Sequence, residues 1–355
     1  MSGGVILAVE SSCDETGVAL IADGRRILAS VVASQVALHA ASGGIVPEVA
    51  ARAHLRWIVP TLEAAWAESG VGWPDVSAVA VTAGPGLAGS LLVGINFAKA
   101  LAYVRGRPLV GVNHLEGHLL AAWLADPADP DRPEPPLPAL ALIVSGGHTF
   151  LSLTRSPTDH TLLGGTVDDA AGEAFDKVGR MLGLSYPGGP AIAEAAGAAV
   201  RHDARFPRAW LGGTDDFSFS GLKTAARRMI AGARAEAGIP PDDQVTPLPP
   251  AIVAELAWGF QESVVDVLAT KVIRAAEREG AASIVLGGGV AANRALRARV
   301  SGEAAARGIP CVIPAPDLCT DNGAMIGAAG ARRLARGDRA GLDLDARPTW
   351  PLGTP

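Results

Sequence analysis

VILAVESSCDETGVALI, residues Val5–Ile21, decides how the rest of the chain is read. Its two apolar runs, Val5 to Val9 and Val18 to Ile21, read as buried strands. Between them, after Glu10, lies a polar turn of hydroxyls, two acids and a glycine, so the whole reads as a hairpin. The pattern returns at ALALIVSGGHTFLSL, Ala139–Leu153, with a strand from Ala139 to Val144, a Gly turn from Ser145 to Thr149 and a returning strand from Phe150 to Leu153. A second pair of matches follows in the same order. Ser77 to Thr82 with AGPGLAGSLLVG in the first half is answered by Ser283 to Leu286 with GGGVAANRALR in the second. Each is strand, Gly-rich turn, helix, the arrangement in which a helix N-terminus meets an anion or a closely packed partner. These matches predict a duplicated α/β domain of two lobes with a cleft between them. Ligands in open α/β sheets lie outside the carboxyl ends of the strands, where these turns fall.

The 355 residues suit two domains of ordinary size, and a chain 49% hydrophobic and 19% charged can build a large core. We place the first lobe at 1–135 with 320–355 and the second at 136–319. The formal net charge of −6 disfavours a protein that coats nucleic acid but leaves room for local basic patches. Cys13, Cys311 and Cys319 are too few and too scattered for a disulfide framework, so a reducing cytoplasm is the expected compartment. The N-terminus lacks the basic start of a signal peptide. No apolar run is long enough to span a membrane.

Around these landmarks, Arg26 to Ser34 reads as a third strand and Ala50 to Ala67 as an amphipathic helix, with Pro47 in its first turn. Arg52, His54 and Arg56 read as a solvated basic face. Leu109 to Val112 is a strand. Asp126 to Pro138, DPADPDRPEPPLP, is a surface loop near the boundary between the halves. Asp168, Asp169, Glu173 and Asp176 fall in one acidic helical run, and Gly188-Gly189-Pro190 is a turn into another helix. DFSFSGLKTAARRMI sets Phe217 and Phe219 beside Lys223, Arg227 and Arg228. Aromatic and basic groups together can stack on and pair with nucleic acid, although such a Phe pair more often fills a core. Residues 240 to 250 form a loop, Ala251 to Glu279 a long helix, and Asp321 opens a small-residue helix suited to close packing on a sheet. ARPTWPLGTP reads as a tail.

VNHLEGHLL, Val112–Leu120, carries the candidate chemistry. His114 and His118, four residues apart, share one helical face and can converge on one metal ion, which the late Asp321-Asn322-Gly323 could complete. The zincin protease pattern H-E-x-x-H is absent. Glu116 instead sits midway, pointing away from the histidine face, and reads as a solvated residue or one that supports the ligands from behind. A zinc deaminase would need P-C-x-x-C downstream, and Pro310-Cys311 with Cys319 has the wrong spacing.

Ten stretches, in this order, resemble the universal tRNA adenosine N(6)-threonylcarbamoyltransferase family, formerly called O-sialoglycoprotein endopeptidase or glycoprotease. They are ESSCDETGVAL, GGIVPEVAARAHL, TAGPGLAGSLLVG, NHLEGHLLA, LIVSGGHT, GEAFDKVGRMLG, YPGGPAI, DFSFSGLKTA, GGGVAANRALR and CTDNGAMIG. The resemblance runs from about Val5 to Leu334, and NHLEGHLLA looks like the bacterial branch. It implies the actin, hexokinase and chaperone ATPase superfamily fold, in agreement with the duplication. It also implies transfer of a threonylcarbamoyl group from threonylcarbamoyl-adenylate to the exocyclic amine of the adenosine 3′ of the anticodon, in tRNAs reading ANN codons, with release of AMP. Its metal ligands map onto His114, His118 and Asp321. Its nucleotide-side contacts map onto Ile143, Val144, Ser145, Gly146 and Gly147, with Asp176, Gly189 and Asn293.

Two histidines and one aspartate with open positions suit Fe(II) or Zn(II), and the resemblance favours iron. Asp14 and Glu15 are candidates to take the proton from the adenine amine. Implied partners are tRNA, a synthase that makes the adenylate, an inactive paralogue of the same fold that pairs with this chain, and a small P-loop ATPase. Three rivals remain: an ATP-hydrolysing or kinase-type member of the superfamily, a non-catalytic member, and the metalloprotease of the older name. The histidine helix weighs against the first two and the misplaced Glu116 against the third.

Overall fold

The computed structural model describes residues 4–40, 44–125, 130, 133–240, 243 and 245–353. The readings made above of Met1–Gly3, of Gly43, of 126–129, 131 and 132 in the Pro-rich segment, of 241, 242 and 244, and of 354 and 355 lie outside these residues. The chain divides into two compact units, Met1–Pro136 with Thr154–Thr161 and Pro314–Pro355, and Leu137–Leu153 with Leu162–Ile313.

Five strands form the first sheet: β1 (Val5–Glu10), β2 (Glu15–Ala22), β3 (Arg26–Ser34), β4 (Val76–Gly84) and β5 (Leu109–Asn113), in the order β3-β2-β1-β4-β5. Five more form the second: β6 (Ala139–Val144), β7 (Thr149–Ser156), β8 (Asp159–Gly165), β9 (Ser283–Gly287) and β10 (Cys311–Val312), in the order β10-β9-β6-β7-β8. Counted within each sheet in chain order, both read 3-2-1-4-5. The duplication inferred from two motif pairs therefore extends to every strand.

In the first unit β1 pairs antiparallel with β2, from Val5 opposite Ala22 to Glu10 opposite Gly17, and parallel with β4. Alternation along β1 divides its side chains between two faces. Leu7 and Val9 join Leu20, Val79, Val81, Leu91 and Ile95 in a core that includes the helix Ala88–Arg105. Each such buried side chain contributes about 1.5–3 kcal/mol. Ile6 and Ala8 face the helix Gly323–Arg336, where side chains are small for a steric reason. A Cβ on Gly327 would lie 2.5 Å from Ile21 Cγ1, and one on Gly330 2.5 Å from the Ala80 Cβ. The expected close packing of this helix on a sheet is what the structure has.

In the second unit β6 pairs parallel with β9, from Ala139 opposite Ser283 to Ile143 opposite Gly287. The helix Pro250–Glu279 packs Phe260 edge-on to Phe175, with ring centroids 5.1 Å apart. Phe217 and Phe219 are buried, so this pair fills a core and offers no stacking face.

Several expectations need correction. His54 is not solvated: it is buried, its Nδ1 2.8 Å from Thr16 Oγ1 and its Nε2 3.0 Å from the Cys13 carbonyl oxygen, so it pins the first turn. Asp168 and Asp169 precede the helix Ala171–Met181 rather than belonging to it. Asp168 instead accepts hydrogen bonds from the Ser218 and Ser220 hydroxyls and the Phe219 amide. Gly188, Gly189 and Pro190 form the first turn of the helix Gly188–Gly197, not a turn before it. The supposed tail is packed: Trp350 is buried in the first core, and the Arg347 amide donates to the Ala83 carbonyl at 2.7 Å. β8 is half-exposed and β10 only two residues long, so neither gave an apolar run to detect.

Candidate functional site

Asn113, the last residue of β5, caps the helix His114–Leu120: its side-chain oxygen accepts the Leu115 amide at 2.9 Å. The strand end thereby fixes where the helix begins and how His114 is aimed. His118 follows one turn later, its ring edge-on to that of His114 with centroids 4.6 Å apart. Asp321 stands before the helix Gly323–Arg336, capped by Asn322 through the Met325 amide at 2.9 Å. Asp321 Oδ1 lies 3.5 Å from His114 Nε2 and 3.1 Å from His118 Nε2. One ligand atom from each of the three falls within 4.8 Å of the others, a grouping compatible with a single metal ion.

The chemistry of the donor set supports the same conclusion. Both ring nitrogens of His118 are buried and make no hydrogen bond among the described residues, despite the nearby Asp321 oxygen. Leaving a buried polar group unpaired costs about 1–3 kcal/mol. A cation between the three ligand atoms would satisfy Nε2.

Glu10 is a residue beside this cluster that sequence reasoning passed over. It ends β1, is 0% exposed, and its Oε2 lies 3.1 Å from His114 Nδ1. Oε2 also accepts the Thr82 hydroxyl at 2.5 Å, and Oε1 accepts the Ser12 amide at 2.5 Å. A proton held on Nδ1 toward Glu10 leaves the Nε2 lone pair facing Asp321, the tautomer a metal ligand needs. The available signal was a charged residue closing a run of five buried apolar ones, since acids are seldom buried without a partner. Burial works to raise the Glu10 pKa, but the His114 charge and hydrogen bond outweigh it and hold the carboxyl below its ordinary range. Burial likewise opposes charging His114, yet the Asp321 and Glu10 carboxylates raise its pKa to about 9. In the metal-free chain a proton on His114 thus supplies part of the positive charge that a metal would bring.

Asp14 and Glu15 follow in the same turn. Glu15 is pushed up to about 10, by burial first and then by the Asp321 and Asp14 carboxylates, against a lowering hydrogen bond from Ser34. A carboxyl so placed is protonated at neutral pH until a positive charge stands beside it. Glu116 is 5% exposed and pairs with Arg333, so it faces neither solvent nor the metal ligands.

At the TAGPG turn the glycines meet packed backbone. A Cβ on Gly86 would lie 2.6 Å from the Ser12 carbonyl oxygen, and the Leu87 amide donates to that oxygen at 2.8 Å. Gly84 admits the C-terminal segment, since a Cβ there would collide with the Arg347 carbonyl oxygen.

The residues mapped to the nucleotide side all lie in the second unit. Ile143 and Val144 are buried in β6, so only their backbone could meet a ligand. Ser145 and His148 close a tight turn: the Ser145 amide donates to the His148 carbonyl at 2.7 Å, and the Ser145 hydroxyl accepts the His148 amide at 3.1 Å. Gly146 and Gly147 stand at its exposed tip, where an added Cβ would meet nothing within 4 Å, so no packing demands glycine there. Gly189 is equally open. Backbone approach by a ligand is a reason for glycine that packing does not supply.

Neighbouring glycines do meet backbone. A Cβ on Gly288 would collide with the Val144 carbonyl oxygen, and one on Gly172 would lie 2.5 Å from that of Ser145. Asp176 Oδ1 accepts the Gly188 amide at 2.7 Å. Asn293 caps the helix Arg294–Ala305 through the Leu296 amide at 3.1 Å and donates to Gln261 Oε1 at 2.7 Å. The mapped loops are therefore tied pairwise: β6 to the Gly288 turn and to the start of the Ala171–Met181 helix, and that helix to Gly188. Arg227 and Arg228 are exposed, while Lys223 lies 3.6 Å from Asp169.

A family model for tRNA N6-adenosine threonylcarbamoyltransferase matches residues 26–328. A relative of that name from Thermomicrobium roseum is 51% identical over 99% of this chain and 97% of its own length. One from Moorella thermoacetica is 49% identical over 98% of this chain and 97% of its own. Among solved structures, component A of the (R)-2-hydroxyglutaryl-CoA dehydratase of Acidaminococcus fermentans superposes with a TM-score of 0.52 at 15% identity, covering 93% of this chain and 99% of that one. HypF of T. kodakarensis gives 0.59 at 13% identity, covering 95% of this chain and 48% of that one. At such identities these structures show the fold alone, and it is the duplicated actin/hexokinase-like ATPase fold that the motifs led us to expect. Half-identical relatives over almost the whole length carry more than fold, and by them this chain belongs to the tRNA N6-adenosine threonylcarbamoyltransferases, a family of transferases.

Proposed function

We propose that this chain transfers the threonylcarbamoyl group of threonylcarbamoyl-adenylate to the exocyclic amine of the adenosine 3′ of the anticodon, in tRNAs reading ANN codons. The bond between the carbamoyl carbon and the phosphate oxygen breaks, the bond from that carbon to the adenine nitrogen forms, AMP leaves and the amine gives up a proton. The observation that carries the reading is the convergence of His114, His118 and Asp321 on one point, with a buried His118 ring that makes no hydrogen bond among the described residues.

His114, His118 and Asp321 would hold one divalent metal, iron by preference and zinc as the second choice, with positions left for substrate oxygens. When bound, the metal supplies a positive charge that polarises an oxygen of the donor and orients it. Glu10 holds His114 in register throughout. Because AMP is already a good leaving group, the protein's main task is orientation. Gly146, Gly147 and Gly189 would receive phosphate and ribose on open backbone, with Asp176 and Asn293 beside them. Asp14 and Glu15 remain the candidates for the amine proton.

The partners we propose are tRNA, an adenylate-forming synthase, an inactive paralogue of the same fold and a small P-loop ATPase, in the cytoplasm. Leu55, Val59 and Leu92 are exposed apolar residues on the helices Pro47–Ser69 and Ala88–Arg105, a face suited to pairing with a similar one. Among the described residues no helix is long and apolar enough to cross a membrane.

The test is a reconstituted transfer assay with threonylcarbamoyl-adenylate, unmodified tRNA and the helper proteins, the tRNA being digested and read by mass spectrometry. Threonylcarbamoyl-adenosine that requires this chain and vanishes with His118→Ala supports the reading. Active helpers and no product would overturn it in favour of the non-catalytic or ATP-hydrolysing alternatives.

A further inference from the structure

Glu116 lies between the two histidines yet on the other side of their helix, buried, with no part in the ligand set. A carboxylate in that position needs a partner, and it has one from the helix that follows Asp321. Arg333 Nη2 lies 2.6 Å and Nε 2.8 Å from the same Glu116 oxygen. The ion pair therefore joins the helix carrying His114 and His118 to the helix carrying Asp321 at its head. The two helices are in close contact one turn from the ligands, where a Cβ on Gly117 would lie 2.9 Å from Ile326 Cδ1.

A third segment closes over this junction. The guanidinium of Arg333 lies over the Trp350 ring, 5.3 Å from its centroid, and Arg347 lies over the same ring at 4.7 Å. The Trp350 carbonyl accepts from Asn113 Nδ2 at 3.0 Å, and Asn113 is the cap that starts the histidine helix. The strap is itself anchored: the Arg347 amide to Ala83, and the Gly86 amide to the Pro348 carbonyl at 3.2 Å.

The geometry points to Glu116, Arg333 and Trp350 as positioning residues for the metal site, with the C-terminal strap 347–352 as their brace. This rests on the metal reading proposed above. Two of the three ligands enter from one helix and the third from the segment just before another, so their spacing depends on how those helices are held together. The ion pair joins the two helices, and the strap meets one at Arg333 and the other at its cap, Asn113. Groups hydrogen-bonded to ligands change metal affinity by about 10–100-fold when altered, and a brace acting through the helices should come at the lower end of that range.

Cobalt(II) is the probe, because its visible absorption reports ligand geometry as well as occupancy. We expect Trp350→Ala and Glu116→Gln each to weaken Co(II) binding by about tenfold and to alter the absorption band, with Trp350→Phe restoring both. Folded Trp350→Ala and Glu116→Gln proteins with the affinity and spectrum of the unaltered chain would overturn the assignment. Should Trp350→Ala fail to fold, the double variant Glu116→Gln with Arg333→Gln leaves no lone buried charge and decides the question by the same two readouts. If the unaltered chain takes up no Co(II), or His118→Ala binds it equally well, the metal reading itself fails and the positioning role falls with it.

Discussion

Replacing Glu10 by glutamine keeps the shape of the side chain and removes one acceptor. Three donors converge on the carboxylate: the Ser12 amide on Oε1, and the Thr82 hydroxyl and His114 Nδ1 on Oε2. An amide has one oxygen. If that oxygen keeps Ser12, the new NH₂ group faces Thr82 and His114. Thr82 can turn its hydroxyl to accept, but His114 can accept only by moving its proton from Nδ1 to Nε2. Nε2 is the nitrogen that faces Asp321, and a protonated nitrogen cannot bind a metal. The loss is one charge-assisted hydrogen bond and the favourable tautomer, about 1.5–3 kcal/mol. At about 1.4 kcal/mol per factor of ten, metal affinity should fall roughly 10–100-fold. The assay is competition for Zn(II) or Co(II) against a chromophoric chelator, with circular dichroism to show that the variant is folded. A folded Glu10→Gln protein that binds within about twofold of the unaltered chain would refute the claim that Glu10 sets the His114 tautomer.

Further outcomes are expected. His114 is raised from 6.5 to about 9 in the metal-free chain, so metal must displace its proton, and apparent affinity should rise about tenfold per pH unit up to about pH 9; a flat titration over that range would contradict it. Because the folded pKa lies above the unfolded one, the same group stabilises the metal-free chain fully below about pH 6.5 and loses that contribution as pH rises through about 9, which urea unfolding at several pH values will show or deny. Asn293→Ala should remove a helix cap at a cost of about 1 kcal/mol and also weaken binding of the adenylate, while Asn293→Asp keeps the cap; unchanged adenylate affinity in calorimetry would take Asn293 out of the site. Gly288→Ala should destabilise the second unit in denaturant unfolding, since φ is 83° and the new Cβ would press on the Val144 carbonyl; a stability equal to that of the unaltered chain would show that this turn relaxes freely.

What could be read ahead of the structure was whatever repeats or keeps a period. Strand, turn and strand recurred with the same punctuation, and histidines four apart declared their shared face. What could not be read depended on partners far along the chain. Glu10 looked like the end of a strand because His114, its reason for being there, lies over a hundred residues away. His54 looked like surface because its arginine neighbours are exposed, and nothing local reveals that Cys13 and Thr16 receive it. The last residues, rich in proline and without periodicity, gave no sign of strand or helix, and the described ones form neither; their place is set by Gly84, Gly86 and Asn113. The TAGPG glycines were legible as a tight turn, but whether they admit a ligand or another stretch of backbone is a question of tertiary packing.

Assembly of the first unit from both ends of the chain has a consequence for biosynthesis. His114 and His118 leave the ribosome about 200 residues before Asp321, and the strap over them is made later still. At roughly 5–20 residues per second the histidines wait some ten to forty seconds for their third ligand. During that interval most of the second unit has emerged and can fold, while the nascent chain offers a passing metal only two of the three candidate ligands. On the metal reading proposed above, loading waits until residue 321 has emerged, and a chain cut short before it carries no complete site at all.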